Sequence, residues 1–178
     1  MRQFSSTPLI GFAAYSGTGK TTLLRQLIPL LRESSINLGV IKHAHHEVDV
    51  DQPGKDSYEL RKAGAGRVLL ATSKHWALMV DEAEAKEPEL PELLERLDCS
   101  SLDLVLVEGF RHLQFPKIEL HRPALGKPLL FTGDSSVIAI ASDAPIDQPC
   151  NLPQLDLNNP QEIAQFVKDY CEAIPRAD

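Results

Sequence analysis

The stretch that decides the fold runs from Pro8 to Glu33, PLIGFAAYSGTGKTTLLRQLIPLLRE. Residues 8–14 are a short apolar run, read as a buried strand entering a turn. After the turn, Leu23, Leu24, Leu27, Ile28 and Leu31 recur at helical spacing, so TTLLRQLIPLLRE predicts an amphipathic helix. Pro29 lies inside that pattern and costs one backbone bond, which predicts a kink there. Between strand and helix stands Ala14-Tyr-Ser-Gly-Thr-Gly-Lys-Thr21, which matches G-x-x-x-x-G-K-[ST] except at its first position, where alanine replaces glycine.

The chemistry requires those residues. Gly17 and Gly19 let the backbone curl so that successive N–H groups face phosphate oxygens. The helix beginning near Lys20 adds its N-terminal dipole to the same anion site. Lys20 is expected to reach the β- and γ-phosphates, and the Thr21 hydroxyl to coordinate Mg²⁺. The leading glycine eases the bend out of the strand, which small Ala14 can also manage. A chance glycine-rich turn would match the bare pattern, but here the pattern follows a strand and opens a helix.

Outward from this core, LGVIKH (38–43) predicts a second strand and DSYELRKAG a short helix closed by Gly64. RVLLATS and HWALMVD flank a tight Ser73–Lys74 junction and predict a hairpin across 66–80. PELLERL is a helix with Pro91 in its first turn. LDLVLVEGF (102–110) is the strongest strand, and its near-continuous Leu/Val character indicates burial on both faces. KIELHR and VIAIASD are further strands, with a second possible hairpin over 117–131. The last helix opens at NNPQEIAQFV, where Asn159 caps, Pro160 takes the first position and Glu162 completes a capping box. Strands alternating with helices predict a mostly parallel α/β sheet flanked by helices, with additional antiparallel strands, in one domain spanning 1–178.

Composition narrows the function. A formal net charge of −7 argues against nucleic-acid binding. Much of that charge falls between Asp81 and Asp98, where eight acidic residues face only Lys86 and Arg96; a solvated helix face explains them, and a docking surface for a basic partner is the sharper alternative. Apolar runs are too short to span a bilayer. No secretion signal is read at the N-terminus, so a cytoplasmic location is expected. Cys99, Cys150 and Cys171 are odd in number and form no C-x-x-C pair, so neither a disulfide framework nor a zinc ribbon is indicated.

Three further places bear on the site. Glu108 ends the strongest strand, on the ligand side of a parallel sheet, where it can hold a metal-bound water or orient the attacking one. Lys42, His43, His45 and His46, followed by Asp49 and Asp51, end the second strand at the same side. Three histidines and two aspartates suggest a metal site but show no intact ligand spacing, and phosphate, Mg²⁺-shell or substrate contacts and structural histidines are the alternatives. Asp143 ends VIAIASD and is a candidate to accept from guanine N1–H and the 2-amino group, since no N-K-x-D is present; an ordinary turn aspartate is the equal alternative. For cations near the γ-phosphate, Arg61, Arg67 and Arg111 are candidates, with Lys42 able to neutralise charge.

With these residues in view, the chain resembles the molybdopterin-guanine dinucleotide biosynthesis protein B (MobB) family. The resemblance rests on SGTGKTTL (16–23), IKHAHHEVDVDQPGKDSYELRKAGA (41–65), LDLVLVEGF (102–110) and IAIASDAP (138–145), in family order. It implies a homodimeric GTP-binding protein with weak GTPase activity at most, working beside the molybdenum cofactor guanylyltransferase and possibly binding molybdopterin. It carries the Walker A role to Ser16, Gly17, Thr18, Gly19, Lys20, Thr21 and Thr22. Glu108 becomes the acid near Mg²⁺, with Lys20 its catalytic companion, and Asp143 the guanine reader. Related P-loop proteins often place a further lysine early in the loop; Ser16 stands there instead. The rival from another class is a P-loop small-molecule kinase moving a γ-phosphoryl group.

Overall fold

The computed structural model describes residues 6–44 and 49–174. They cluster in two compact units, one built from residues up to His43 together with those from Glu89 onward, the other from 44–88. The second unit is thus inserted, in chain order, between two elements of the first, whereas the sequence reading took the whole chain as one domain.

The first unit is a six-stranded, all-parallel sheet in the order β2-β5-β1-β6-β7-β8. Its strands are β1 (Leu9–Ala13), β2 (Leu38–Lys42), β5 (Leu104–Glu108), β6 (Lys117–His121), β7 (Val137–Ser142) and β8 (Gln154–Asp156). Central β1 and β5 are buried on both faces, as their unbroken apolar runs require. Against one face, α1 (Lys20–Glu33) and α4 (Pro160–Ala173) pack Leu23, Leu27, Leu31, Ile163 and Val167 onto Ile10, Phe12, Leu104, Leu106, Ile118 and Leu120. Against the other, α3 (Leu90–Leu97) sets Leu90 and Leu94 on Leu9, Val105 and Val107. Each such side chain contributes about 1.5–3 kcal/mol when fully buried. α1 runs through Pro29 without interruption, because the leucines on either side hold its buried stripe.

Two expectations need correction. Residues 117–131 form no hairpin: β6 pairs parallel with both β1 and β7, and the following residues make a 3-10 turn (Pro123–Leu125) and a loop. Buried Glu119 is the reason, since its two carboxylate oxygens accept from the Leu130 and Phe131 N–H groups (2.7 and 2.9 Å) and tie that loop down. At α4, Asn159 Oδ1 accepts from the Glu162 N–H as expected, but Glu162 reaches the Asp156 N–H rather than closing the box on Asn159. The short β8 has no signal of its own in the sequence.

The second unit holds α2 (Asp56–Lys62) and the antiparallel ribbon β3 (Arg67–Ala71) with β4 (Trp76–Val80). Its turn is the tight one expected: the Thr72 N–H donates to the His75 carbonyl (2.7 Å), and Thr72 Oγ1 accepts from the Lys74 and His75 N–H groups. Arg61 ties α2 to Asp49 and Asp81, each at 3.3 Å. The ribbon leaves Leu69, Leu70, Trp76 and Leu78 exposed on residues that favour burial.

Candidate functional site

The turn between β1 and α1 has the shape its glycines predict. Gly17 and Gly19 adopt φ of 84° and 100°, values that side chains rarely tolerate, although nothing crowds a Cβ at Gly17. Gly19 is the N-cap of α1 and supplies no side-chain cap, and no acid lies in the first helical turn. The N-terminal end of α1 therefore keeps its positive potential for an anion. Thr18 is buried and donates its hydroxyl to the Tyr15 carbonyl (2.8 Å), which closes the loop on itself. Lys20 arches back over the loop, its Nζ donating to the Ala14 carbonyl at 3.3 Å. Ser16 and Gly17 are exposed at the loop's crest, and Thr21 and Thr22 are exposed on the first turn of α1.

Glu108 enters from the neighbouring strand. It is the register partner of Phe12 on one side and Lys42 on the other, so it emerges at the same carboxyl edge as the loop. Its carboxylate lies 3.4 Å from Lys42 Nζ. The chain then turns sharply through Gly109 (φ 110°) and Phe110 (φ 51°), and the Phe110 ring is buried. His43 closes this turn from β2: its N–H donates to the Glu108 carbonyl (2.8 Å) and its ring stacks on Phe110 at 4.7 Å. A Cβ on Gly109 would stand 2.6 Å from His43 Cβ, so only glycine fits. His43 is thus committed to packing. His45 and His46 lie outside the described residues, and among those described no three His, Cys, Asp or Glu side chains form a metal-holding group.

The third wall of the site was not read from the sequence. Arg122 follows β6, the other neighbour of β1, and its guanidinium spans to the loop. Its Nε donates to the Thr18 carbonyl (2.9 Å), and its Nη1 donates to Asp143 Oδ2 (2.5 Å). Asp143, for which the sequence offered a guanine reader and an ordinary turn aspartate equally, is the counter-ion of an arginine that touches the phosphate loop. The available signal was the edge rule that singled out Glu108: a charged residue immediately after a strand of a parallel sheet projects from its carboxyl edge. Of the arginines named from sequence, Arg61 is engaged with Asp49 and Asp81 in the inserted unit, while Arg67 and Arg111 are exposed.

A parallel α/β sheet with a glycine loop, a lysine and a helix N-terminus at the carboxyl edge of its central strand defines a P-loop NTPase-like protein. The sequence profile described as "MobB: Molybdopterin guanine dinucleotide synthesis protein B" matches residues 9–143, and the chain belongs to that family. It is 49% identical over 166 residues, 93% of this chain and 94% of the relative, to the "Molybdopterin-guanine dinucleotide biosynthesis adapter protein" of Escherichia coli K12. With the protein of the same name from Haemophilus influenzae it shares 43% identity, over 92% of this chain and 89% of that one. The solved "Crystal Structure of molybdopterin-guanine biosynthesis protein B (mobB)" superposes with a TM-score of 0.70 at 24% identity, covering 91% of this chain and 99% of that chain. That likeness bears on the fold.

Proposed function

We propose that this protein binds GTP with Mg²⁺ at the 14–22 loop and acts as an adapter in molybdopterin-guanine dinucleotide biosynthesis, with weak GTPase activity at most. The observation that carries the reading is the loop itself: Gly17 and Gly19 in left-handed conformations, the uncapped start of α1, and Lys20 poised over the loop. The relatives that match along nearly the whole chain are named adapter proteins of this pathway.

In this reading the N–H groups of residues 16–22 cradle the phosphates, and Lys20 exchanges the Ala14 carbonyl for phosphate oxygens. The donors fit Mg²⁺, a hard cation that prefers oxygen ligands: the Thr21 hydroxyl is open on α1, and the Glu108 carboxylate stands at the adjacent strand end. A bound Mg²⁺ supplies neutralisation of phosphate charge. Hydrolysis is slow in this reading because Glu108 is given to Mg²⁺ and Arg122 is engaged by Asp143, so neither is free to activate water or reach a γ-phosphate.

The chain works as one nucleotide-binding domain carrying an insertion, and as a homodimer. The ribbon β3–β4 leaves Leu69, Trp76 and Leu78 exposed, an apolar face that a second copy would cover. The molybdenum cofactor guanylyltransferase is the partner the adapter role requires, and the cytoplasm the compartment. Among the described residues, no helix is long and apolar enough to cross a membrane.

Calorimetric titration with Mg-GTP and Mg-ATP is the test. Preference for GTP supports the reading. Equal or ATP-favouring binding overturns the guanine assignment, and transfer of the γ-phosphoryl group to a small acceptor would replace the adapter with a kinase.

A further inference from the structure

Arg122 belongs to no part of the Walker motif, yet it is the one arginine among the described residues whose guanidinium hydrogen-bonds the phosphate loop. The point of contact matters. The Thr18 carbonyl and the Gly19 N–H belong to the same peptide unit, so whatever grips that oxygen also sets the direction of that hydrogen. A charged donor on the carbonyl further polarises the unit and makes its N–H a stronger donor. Gly19 is the N-cap of α1, at the centre of the anion-binding turn. Without a grip on the carbonyl, that peptide plane could turn through Thr18 ψ and Gly19 φ, and Gly19, already at φ 100°, opposes little.

The grip is well held. Asp143 takes Nη1 while Nε takes Thr18, so the planar fork is fixed at two of its edges. Nη2 lies 3.7 Å from where a Gly19 Cβ would stand, which places the whole guanidinium along the loop. Both ends of the pair come from strand ends, Arg122 after β6 and Asp143 after β7, whose register pairs His121 with Ser142. The sheet therefore sets their spacing.

We propose that Arg122 is a positioning residue of the nucleotide site, which orients and polarises the Gly19 N–H through the Thr18 carbonyl, with Asp143 as the carboxylate that aims it. The assignment rests on the reading of 14–22 as a phosphate loop. It makes Arg122 base-blind: it serves the phosphates of any nucleotide, and Asp143 acts first through the arginine.

Two readouts on the full-length protein test this. In nucleotide-free protein, an amide NMR spectrum of Arg122→Ala should show the Gly19 N–H moved upfield, since its carbonyl partner has lost a charged donor; an unmoved Gly19 resonance overturns the proposal whether or not nucleotide binds. Calorimetry with Mg-GTP and Mg-ATP should then show both affinities reduced about tenfold or more in parallel. Arg122→Lys, which keeps charge but not the fork, should recover only part of the loss and guards against a folding defect in the alanine variant. Asp143→Asn should give a smaller, equally parallel loss. Wild-type affinities in Arg122→Ala or full recovery in Arg122→Lys would overturn the positioning role, as would loss of GTP with ATP untouched, which would place the pair at the base. Failure of the wild-type protein to bind either nucleotide would sink the phosphate-site reading instead, a result the Gly19 shift keeps separate.

Discussion

Lys42 and Glu108 face one another across the β2–β5 register, with Nζ 3.4 Å from the carboxylate, at the edge where the phosphate loop opens. The lysine is more than half exposed and the glutamate is 14% exposed, so the pair is a weak, screened contact that a divalent ion can displace. In the proposed metal site, Lys42 and Mg²⁺ would compete for the same carboxylate.

That competition has opposite signs for the two partners. Glu108→Gln should weaken the Mg²⁺ dependence of GTP binding by about tenfold, on the order of 1.4 kcal/mol. Lys42→Met should strengthen it modestly by removing the rival cation. Titrations across a Mg²⁺ series measure both, and no change in either variant would remove Glu108 from the metal site.

Lys20→Ala should abolish measurable triphosphate binding while leaving the unfolding midpoint nearly unchanged. Its amine touches only the Ala14 carbonyl and is not part of the core. Retained GTP affinity would sink the phosphate site.

Gly109→Ala should destabilise the protein by about 2 kcal/mol or more. It adds a Cβ 2.6 Å from His43 Cβ to a backbone at φ 110°, and both strain and overpacking cost. Urea denaturation of the variant reads the loss directly; a difference below about 0.5 kcal/mol would mean the Glu108–Phe110 turn relaxes freely.

Acid should loosen the β6 end opposite the site. Lys117 is buried and donates to the Leu113 carbonyl, to Asp134 and to Ser136 (2.5, 2.7 and 2.7 Å). Burial opposes the charge on Asp134, but donors from Lys117 and Ser136 outweigh it and hold the carboxyl below the ordinary aspartate range. A carboxyl lowered in the folded state stabilises above its unfolded value of 3.8, and the benefit disappears as pH falls through the lower folded value. Asp134→Asn should therefore cost stability at pH 7, and the gap to wild type should narrow below about pH 4. Denaturation midpoints at the two pH values decide it. Lys117→Met leaves Asp134 half-buried without its cation and should cost about 3 kcal/mol at neutral pH.

If the protein is the homodimer proposed, Trp76→Glu, on the exposed ribbon, should shift it from dimer to monomer in sedimentation while its helix content and GTP affinity persist. A dimer of unchanged strength would move the interface elsewhere.

The parts of this protein legible in its sequence are those governed by local rules. Gly17, Gly19 and Lys20 announce an anion loop because only a flexible backbone followed by a helix start can present several N–H groups at once. The unbroken run LVLV at 104–107 announces a central strand, since no other element buries consecutive residues on both faces. The Thr72–His75 turn follows from two short apolar runs set close together. The remainder depends on which strand lies beside which. That β6 runs parallel between β1 and β7, and not back on itself, is decided by Glu119 holding the Leu130 and Phe131 N–H groups and by the sheet's neighbours. The same strand order brings Arg122 to Thr18, 104 residues away, and gives Asp143 an arginine partner that its place in the sequence did not indicate. Spacing along the chain carries no record of such pairings, because a charged residue at a strand end meets its partner only after the sheet has chosen its order.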